Sequence, residues 1–353
     1  MGLLVAVIAL GSWNISVYAI TPGDATNVAP LVKVQGVATD PNHDRIMLTD
    51  VYLQGLTALQ WLTMHLQAHV EFVSSNQLLE PGVPADELDA QGYLQMSDSK
   101  VAAEVSAFRV LGWKVPSLST GAVVTAVVAP SPARRANVHV ADEIVAMNGR
   151  SVRTSCDLVR GVHSLAPGTT VHLSVARATI SNAGVITWAR ATSLTLKTAR
   201  APSAQAPTGC TGVSGASRSW LGVSVEDGVR YTFPAKVSID TKNIGGPSAG
   251  LAMTLTLIDQ LSRGSLSGHQ SIAATGTIDV AGNVGDVGGV AEKTVAVQRA
   301  GAKYFLVPQI EVATARSAAQ PGLTIIGVTT LKQALADLRA IGGQAPVPLT
   351  APH

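Results

Sequence analysis

The period of the hydrophobic positions changes along this chain, and the changes mark its regions. Gly2 to Ile20 carries no charge, and Leu3 to Leu10 is almost wholly aliphatic. Arg45–Leu53 alternates as a strand does, and within Leu56–His69 the residues Leu59, Leu62, Met64 and Leu66 recur at helical spacing. After the break Pro81-Gly82-Val83-Pro84, the stretch Ala85–Leu111 reads as a second helix. Residues 21–111 thus form a mixed segment in which no chemistry is evident.

From 112 to 200 the rhythm is shorter. Ala122–Val128, Glu143–Met147, Thr170–Ala176 and Ser193–Lys197 are predicted strands, and Cys156–His163 is a helical piece. Asn148-Gly149 and Pro167-Gly168 mark turns. Residues 201–219 are rich in small residues and proline and read as a linker. Residues 220–345 form a third unit. Strands are expected at Leu221–Val225, Ala235–Asp240, Ser271–Thr275, Ile278–Val280, Tyr304–Val307 and Leu323–Val328. A helix over Pro247–Arg263 is apolar nearly all round, with Pro247 suited to N1 and Gly264 to C′. A second helix runs Val290–Ala300, and Thr330 caps a last one. Residues 346–353 are a tail.

Composition narrows the classes. Hydrophobic residues are 46% and charged residues 14% of 353, which allows a sizeable core and excludes overall disorder. A net charge of +2, with no basic stripe interleaved with aromatics, excludes a large nucleic-acid footprint. Cys156 and Cys210 form no CxxC pair, so no structural zinc site is expected; one disulfide is open to a chain outside the cytoplasm. The apolar start has three readings: a signal anchor, a signal peptide cleaved after Val17-Tyr18-Ala19, or a buried core segment. The anchor is favoured, with Trp13 and Tyr18 suited to an interface.

The order Gly121-Ala122-Val123-Val124, Ser131-Pro132-Ala133, Ala141-Asp142-Glu143-Ile144, Asn148-Gly149 and Pro167-Gly168-Thr169-Thr170-Val171 resembles a PDZ domain of bacterial envelope proteases. It departs where such domains have Gly-Asp, since Ala141 precedes Asp142; Asn137 can supply a left-handed turn. The resemblance implies capture of a peptide as an added strand, with its carboxylate on the loop Leu118–Ala122. The expected binding residues are Ser119, Thr120, Gly121, Ala122 and Val123. A structural β-domain that binds nothing is the alternative.

In the third unit, Gly246-Pro247-Ser248-Ala249-Gly250, Thr275-Gly276, Gly288-Gly289 with Glu292-Lys293, Gly301-Ala302-Lys303 and Val307-Pro308 follow the order of the Lon protease domain. The resemblance implies that Ser248 is a nucleophile, Lys293 its base and Thr275 a threonine that hydrogen-bonds the lysine. A serine hydroxyl needs a base to take its proton. A lysine serves only when partly neutral, and the apolar neighbours Val290, Ala291, Val295, Ala296 and Val297 favour that form. The free N–H groups of a helix start at Ser248 and Ala249 suit an oxyanion hole, and Gly245 and Gly246 allow a substrate backbone to approach. His139, His163, His172 and His269 have no motif that places them beside Ser248, and Glu292 is expected to be exposed. Gly245 stands where ATP-dependent Lon enzymes often carry an acidic residue, and no G-x-x-x-x-G-K-[ST] occurs in these residues.

The expected fold class is α+β: an N-terminal anchor over 1–20, the 21–111 segment, a PDZ-like domain over 112–200, the linker and a mixed α/β Lon-type domain over 220–345. The whole resembles PDZ-containing, ATP-independent Lon-like serine proteases of the bacterial envelope. That implies a membrane-tethered, extracytoplasmic Ser-Lys endopeptidase acting on unfolded or C-terminal protein segments, with no cofactor or metal and with hexameric rings as a common assembly. Secretion after signal cleavage is the alternative location. A PDZ-bearing adaptor without turnover is the alternative function, and a processing peptidase with one substrate is a third.

Overall fold

The computed structural model describes residues 2–41, 44–181, 185–202, 210 and 219–349. They divide into two compact units, and neither is a continuous piece of chain. The first comprises residues 1–78, 98–115 and 233–353, the second 79–97 and 116–232.

The first unit is built on a six-stranded mixed sheet in the order Thr324–Val328, Tyr304–Pro308, Ile272–Ala274, Ile46–Thr57, Asn14–Asn27, Glu71–Ser74. The first four run parallel, and Asn14–Asn27 pairs antiparallel with both of its neighbours. Parallel strands are covered on both faces, which is why Ile272–Ala274 and Phe305–Val307 read as unbroken apolar runs. Met47, Ala273, Val290, Val297, Phe305, Val307, Val312 and Ile325 share one core cluster. The Gly250–Leu261 helix is buried at every position, as its all-round apolar sequence requires.

In the second unit a six-stranded sheet has the order Thr192–Lys197, Thr170–Ala176, Glu143–Met147, Ser117–Val127, Val223–Tyr231, with the short Arg150–Ser151 paired off that path to Glu143–Met147. The helix Ser155–His163 closes the core with Leu158 and Val162 against Val124, Ile144, Val171, Leu173 and Leu221. A capping box starts that helix: Asp157 N–H donates to Thr154 Oγ1 at 3.2 Å, and Thr154 N–H donates to Asp157 Oδ2 at 3.1 Å. Asn137 is left-handed as expected, with φ 55°, and Ala141 takes the same region at φ 71° in the place where glycine is usual.

Several sequence expectations change. The 21–111 segment is not separate: Ile46–Thr57 lies in the middle of the sheet that also holds Ile272–Ala274. The run expected as strand Leu221–Val225 of the protease unit is Val223–Tyr231, and it belongs to the PDZ-like sheet because it pairs along Ser117–Val127. Most of the 201–219 linker and residues 350–353 of the tail lie outside the described residues, while Val347–Pro348 pairs with Ser262–Arg263. That pairing pulls the chain out of helix at Ser262, so Gly264 is not the C′ residue.

The apolar start is not one long helix. Gly2–Ser12 is helical for 11 residues, and a strand begins at Asn14. Ala19 and Ile20 are buried there, so Val17-Tyr18-Ala19 lies inside a paired strand. No helix among the described residues is long and apolar enough to cross a membrane.

Candidate active site

Ser248 lies in a turn two residues ahead of the buried helix, which begins at Gly250 rather than at Pro247. Gly250 N–H donates to the Pro247 carbonyl at 3.3 Å and closes the turn. Gly246, at φ 84°, makes the bend before it, a conformation that favours glycine. Gly250 has no room for a side chain: a Cβ would meet Ile278 Cγ2 at 2.8 Å and Ser99 Oγ at 2.9 Å. Ser99 Oγ in turn donates to the Pro247 carbonyl at 3.0 Å. The Ser248 carbonyl is gripped twice, by Gly276 N–H at 2.9 Å and by Thr275 Oγ1 at 3.2 Å.

One expected role changes. The Thr275 hydroxyl donates to the Ser248 main chain, not to the lysine. The Leu251 N–H is committed to the Gly276 carbonyl at 3.1 Å, and Gly250 N–H to Pro247. Among the described residues no acceptor takes the N–H of Ser248 or Ala249, so these two are the donors left for an oxyanion.

Lys293 stands on the Val290–Arg299 helix and is only 2% exposed. Its neighbours Val290 and Val297 pack in the cluster that contains Ala273, two residues before Thr275. Burial pushes the ammonium down to about 8, and the carboxylates of Asp50, Glu311 and Glu292 resist that fall. Glu292, expected to be exposed, is buried because its helix packs onto the sheet; its carboxyl is raised by that burial, and Oε2 has no hydrogen-bond partner among the described residues. Asp50 and Glu311 escaped the sequence reading. The only signal for Asp50 is its place just after the apolar run Ile46–Leu48 and Thr49.

Of the histidines, His269 Nδ1 faces Asp44 Oδ1 at 3.5 Å and His172 Nδ1 meets Thr195 Oγ1 at 2.9 Å. No group of three or more His, Cys, Asp or Glu among the described residues is arranged to hold a metal.

In the second unit the expected peptide edge is not free. Ser117–Val127 is an interior strand: Ala122 and Val123 pair with Ile144 and Glu143 on one side, and with Asp227 and Glu226 on the other. Ser119, Thr120 and Gly121 lie along the same stretch, with Ser119 opposite Val229, Gly121 opposite Gly228, and the Thr120 hydroxyl bonded to Glu143. The outer place belongs to Val223–Tyr231, a strand reached only after the linker. The Ser155–His163 helix is tied to it, since Ser155 N–H and Oγ donate to Asp227 Oδ1 at 2.7 and 2.6 Å. At its entry, Gly222 has φ 86°. The carbonyls of Leu221 and Gly222 accept from Ala133 and Val128 N–H, each at 2.9 Å. No described residue accepts from the N–H groups of Leu221 and Gly222, although both residues are buried. Cys156, on the same helix, is disulfide-bonded to Cys210 across 54 residues of sequence.

Comparison with known proteins agrees with both units. Residues 109–183 match the PDZ domain family, and residues 240–338 match the Lon protease (S16) C-terminal proteolytic domain. The chain therefore carries a PDZ domain and a Lon-type proteolytic domain. Lon protease of Rickettsia felis is 34% identical over 93 residues, 26% of this chain and 12% of that one. Lon protease of Mycoplasma mycoides subsp. mycoides SC is 33% identical over 88 residues, 25% of this chain and 11% of that one. Lon protease of Ureaplasma parvum is 41% identical over 63 residues, 18% of this chain and 8% of that one. The chain thus spans about a tenth of the curated relatives it matches. Among solved structures, the PDZ domain of the SdrC-like protein from Listeria monocytogenes is 16% identical with a TM-score of 0.22, covering 30% of this chain and 86% of that one.

Proposed function

We propose that this protein is an ATP-independent serine endopeptidase with a Ser248–Lys293 dyad. The observation that carries the reading is Lys293, buried and with its ammonium pushed down to about 8, in the unit that holds the Ser248 turn on Thr275 and Gly276. A neutral amine at that position accepts the Ser248 Oγ proton as Oγ attacks the scissile carbonyl. The Ser248 and Ala249 N–H groups stabilise the oxyanion. Collapse expels the amine, which takes the proton back from Lys293, and leaves an acyl-serine. Water then attacks the ester with Lys293 again as base. No cofactor enters these steps.

Substrates are polypeptide segments that need no motor to open them. The PDZ unit feeds the enzyme by adding an extended segment along the outer edge of Val223–Tyr231, with the terminal carboxylate on the Leu221 and Gly222 N–H groups. The Cys156–Cys210 bond supports an extracytoplasmic location. The exposed apolar residues Leu4, Val5, Ile8 and Trp13 support attachment to a membrane at the N-terminal end. Assembly into a hexameric ring is proposed from the family resemblance alone.

The test is cleavage of an unfolded protein without ATP by the wild type, Ser248→Ala and Lys293→Ala. Turnover by wild type alone is expected. Undiminished turnover by Ser248→Ala sinks the dyad. Peptide binding without turnover by any form supports the adaptor instead.

A further inference from the structure

Lys293 is opposed by carboxylates from three elements, and one of them is built into place. Asp50 lies on Ile46–Thr57, directly before Val51. Gly289, the N-cap of the Lys293 helix, packs so closely there that a Cβ would meet Val51 Cγ1 at 2.9 Å and Ile20 Cγ2 at 3.1 Å. The neighbouring strand Asn14–Asn27 breaks register between Pro22 and Ala25, and this bulge folds over the Asp50 carboxylate. Gly23 is what permits it: a Cβ would fall 2.0 Å from Asp50 Oδ1. The same bulge turns the Asp24 N–H onto Asp50 Oδ1 at 2.7 Å, and Tyr52 Oη donates to Asp24 Oδ2 at 2.8 Å.

We propose that Asp50 is the positioning residue of the Lys293 base, a carboxylate fixed by the Gly23–Asp24 bulge that stabilises the ammonium formed when Lys293 takes the Ser248 proton. This rests on the Ser-Lys reading above. The negative charge that acts most on Lys293 thus comes from a strand far away in sequence. Asp50 is the strongest of the charges acting on Lys293, ahead of Glu311 and Glu292. The other groups nearby act at one remove: Asp24 on Asp50, Asp286 on Glu311, and Glu71 and His69 on Glu292. No direct ion pair joins Asp50 and Lys293, so the influence is electrostatic rather than a tether.

Asp50→Asn tests this, because the amide oxygen still accepts from Asp24 N–H while the charge is gone. Asp50→Ser is a second neutral variant, and melting curves show which of them fold. The first readout is the lysine 13Cε titration of the full chain, with the Lys293 signal assigned by its absence from Lys293→Met. Its midpoint is expected to fall by about one pH unit in either neutral variant. The second readout is the pH profile of cleavage. Its lower limb should move to lower pH by a similar step, with plateau kcat reduced roughly tenfold, because a less basic amine is a weaker proton acceptor, and with KM little changed. An unmoved Lys293 midpoint in a folded neutral variant overturns the proposal. A wild type that titrates as expected yet cleaves nothing overturns the peptidase reading and leaves the Asp50–Lys293 coupling standing.

Discussion

The hydroxyl of Thr275 donates to the carbonyl oxygen of Ser248 at 3.2 Å, beside the Gly276 N–H that reaches the same oxygen at 2.9 Å. Thr275 is fully buried, and its own N–H is held by the Leu306 carbonyl at 2.9 Å. The Ser248 turn is thereby fastened to the sheet. Displacements well under an ångström matter in a reacting pair, so this fastening bears on rate. Thr275→Val removes the hydroxyl at nearly constant volume. It is expected to lower kcat by about tenfold with KM little changed, whereas Thr275→Ser keeps most of the rate. Steady-state cleavage of a fluorogenic peptide separates the two; equal kcat for valine and wild type would show that Gly276 alone holds the turn.

The pH dependence follows from Lys293. In the proposed dyad the active form is the neutral amine, and with its value near 8 about a tenth is neutral at pH 7. Activity should rise nearly tenfold between pH 7 and pH 9 and then level off. Acylation of Ser248 by a serine-directed phosphonate should follow the same curve. A flat profile over this range would exclude Lys293 as the base.

The sequence revealed most about elements with a strict period or a cap, and less about pairings that depend on distant chain. Glu143–Met147 and Thr170–Ala176 have the bounds expected of them, and Thr330 caps the last helix by accepting from Gln333 N–H at 3.1 Å. Ser248 and Lys293 stood out as candidates in the sequence because each sits in a local motif. The outer strand Val223–Tyr231 was not, because its partner Ser117–Val127 lies about a hundred residues earlier and no local pattern says which edge an alternating strand will join. Asp50 was hidden for the same reason. Its relation to Lys293 exists only once Asn14–Asn27 and Ile46–Thr57 enter one sheet with the later strands. The end of the first helix was not legible because Ile15, Val17 and Ala19 suit a strand as well as a helix, and composition does not separate the two.

Peptide capture should depend on the outer strand and not on residues 118–123. Val159 lies one turn beyond Ser155 and so shares its helix face toward Asp227. In the Ser248→Ala background, Val159→Asp is expected to weaken binding of a fluorescent peptide by tenfold or more. Leu118→Ser, at an exposed end of the interior strand, should leave it unchanged. An amidated peptide should also bind at least tenfold more weakly, having lost the charge proposed to meet Leu221 and Gly222 N–H. Equal polarisation curves for the acid and the amide would remove the carboxylate site.

The disulfide closes a loop of 54 residues, for which the chain-entropy account gives a ceiling of about 4 kcal/mol. The double variant Cys156→Ser, Cys210→Ser should therefore melt earlier under non-reducing conditions, and wild type in dithiothreitol should fall to the same value. Persistence of the wild-type melting point in the variant would show that the crosslink constrains little.

A buried carboxyl on the Gly250–Leu261 helix sets a different pH response. Asp259 is raised to about 7, first by burial and then by the nearby Asp44 carboxylate, against hydrogen bonds from Asp44 N–H at 2.8 Å and Leu266 N–H at 3.2 Å. A folded value above the unfolded one means that the native state holds this proton more tightly. Its contribution to stability is complete below the ordinary carboxylate value near 4, shrinks as pH rises, and is lost above about 7. Asp259→Asn carries no such proton. The melting temperature of wild type relative to this variant should therefore fall steadily between pH 5 and pH 8, by a few degrees in all. Scanning calorimetry of both forms across that range checks the slope, which is independent of whatever the amide costs in packing. Parallel curves would mean that Asp259 is ionised in the native state throughout.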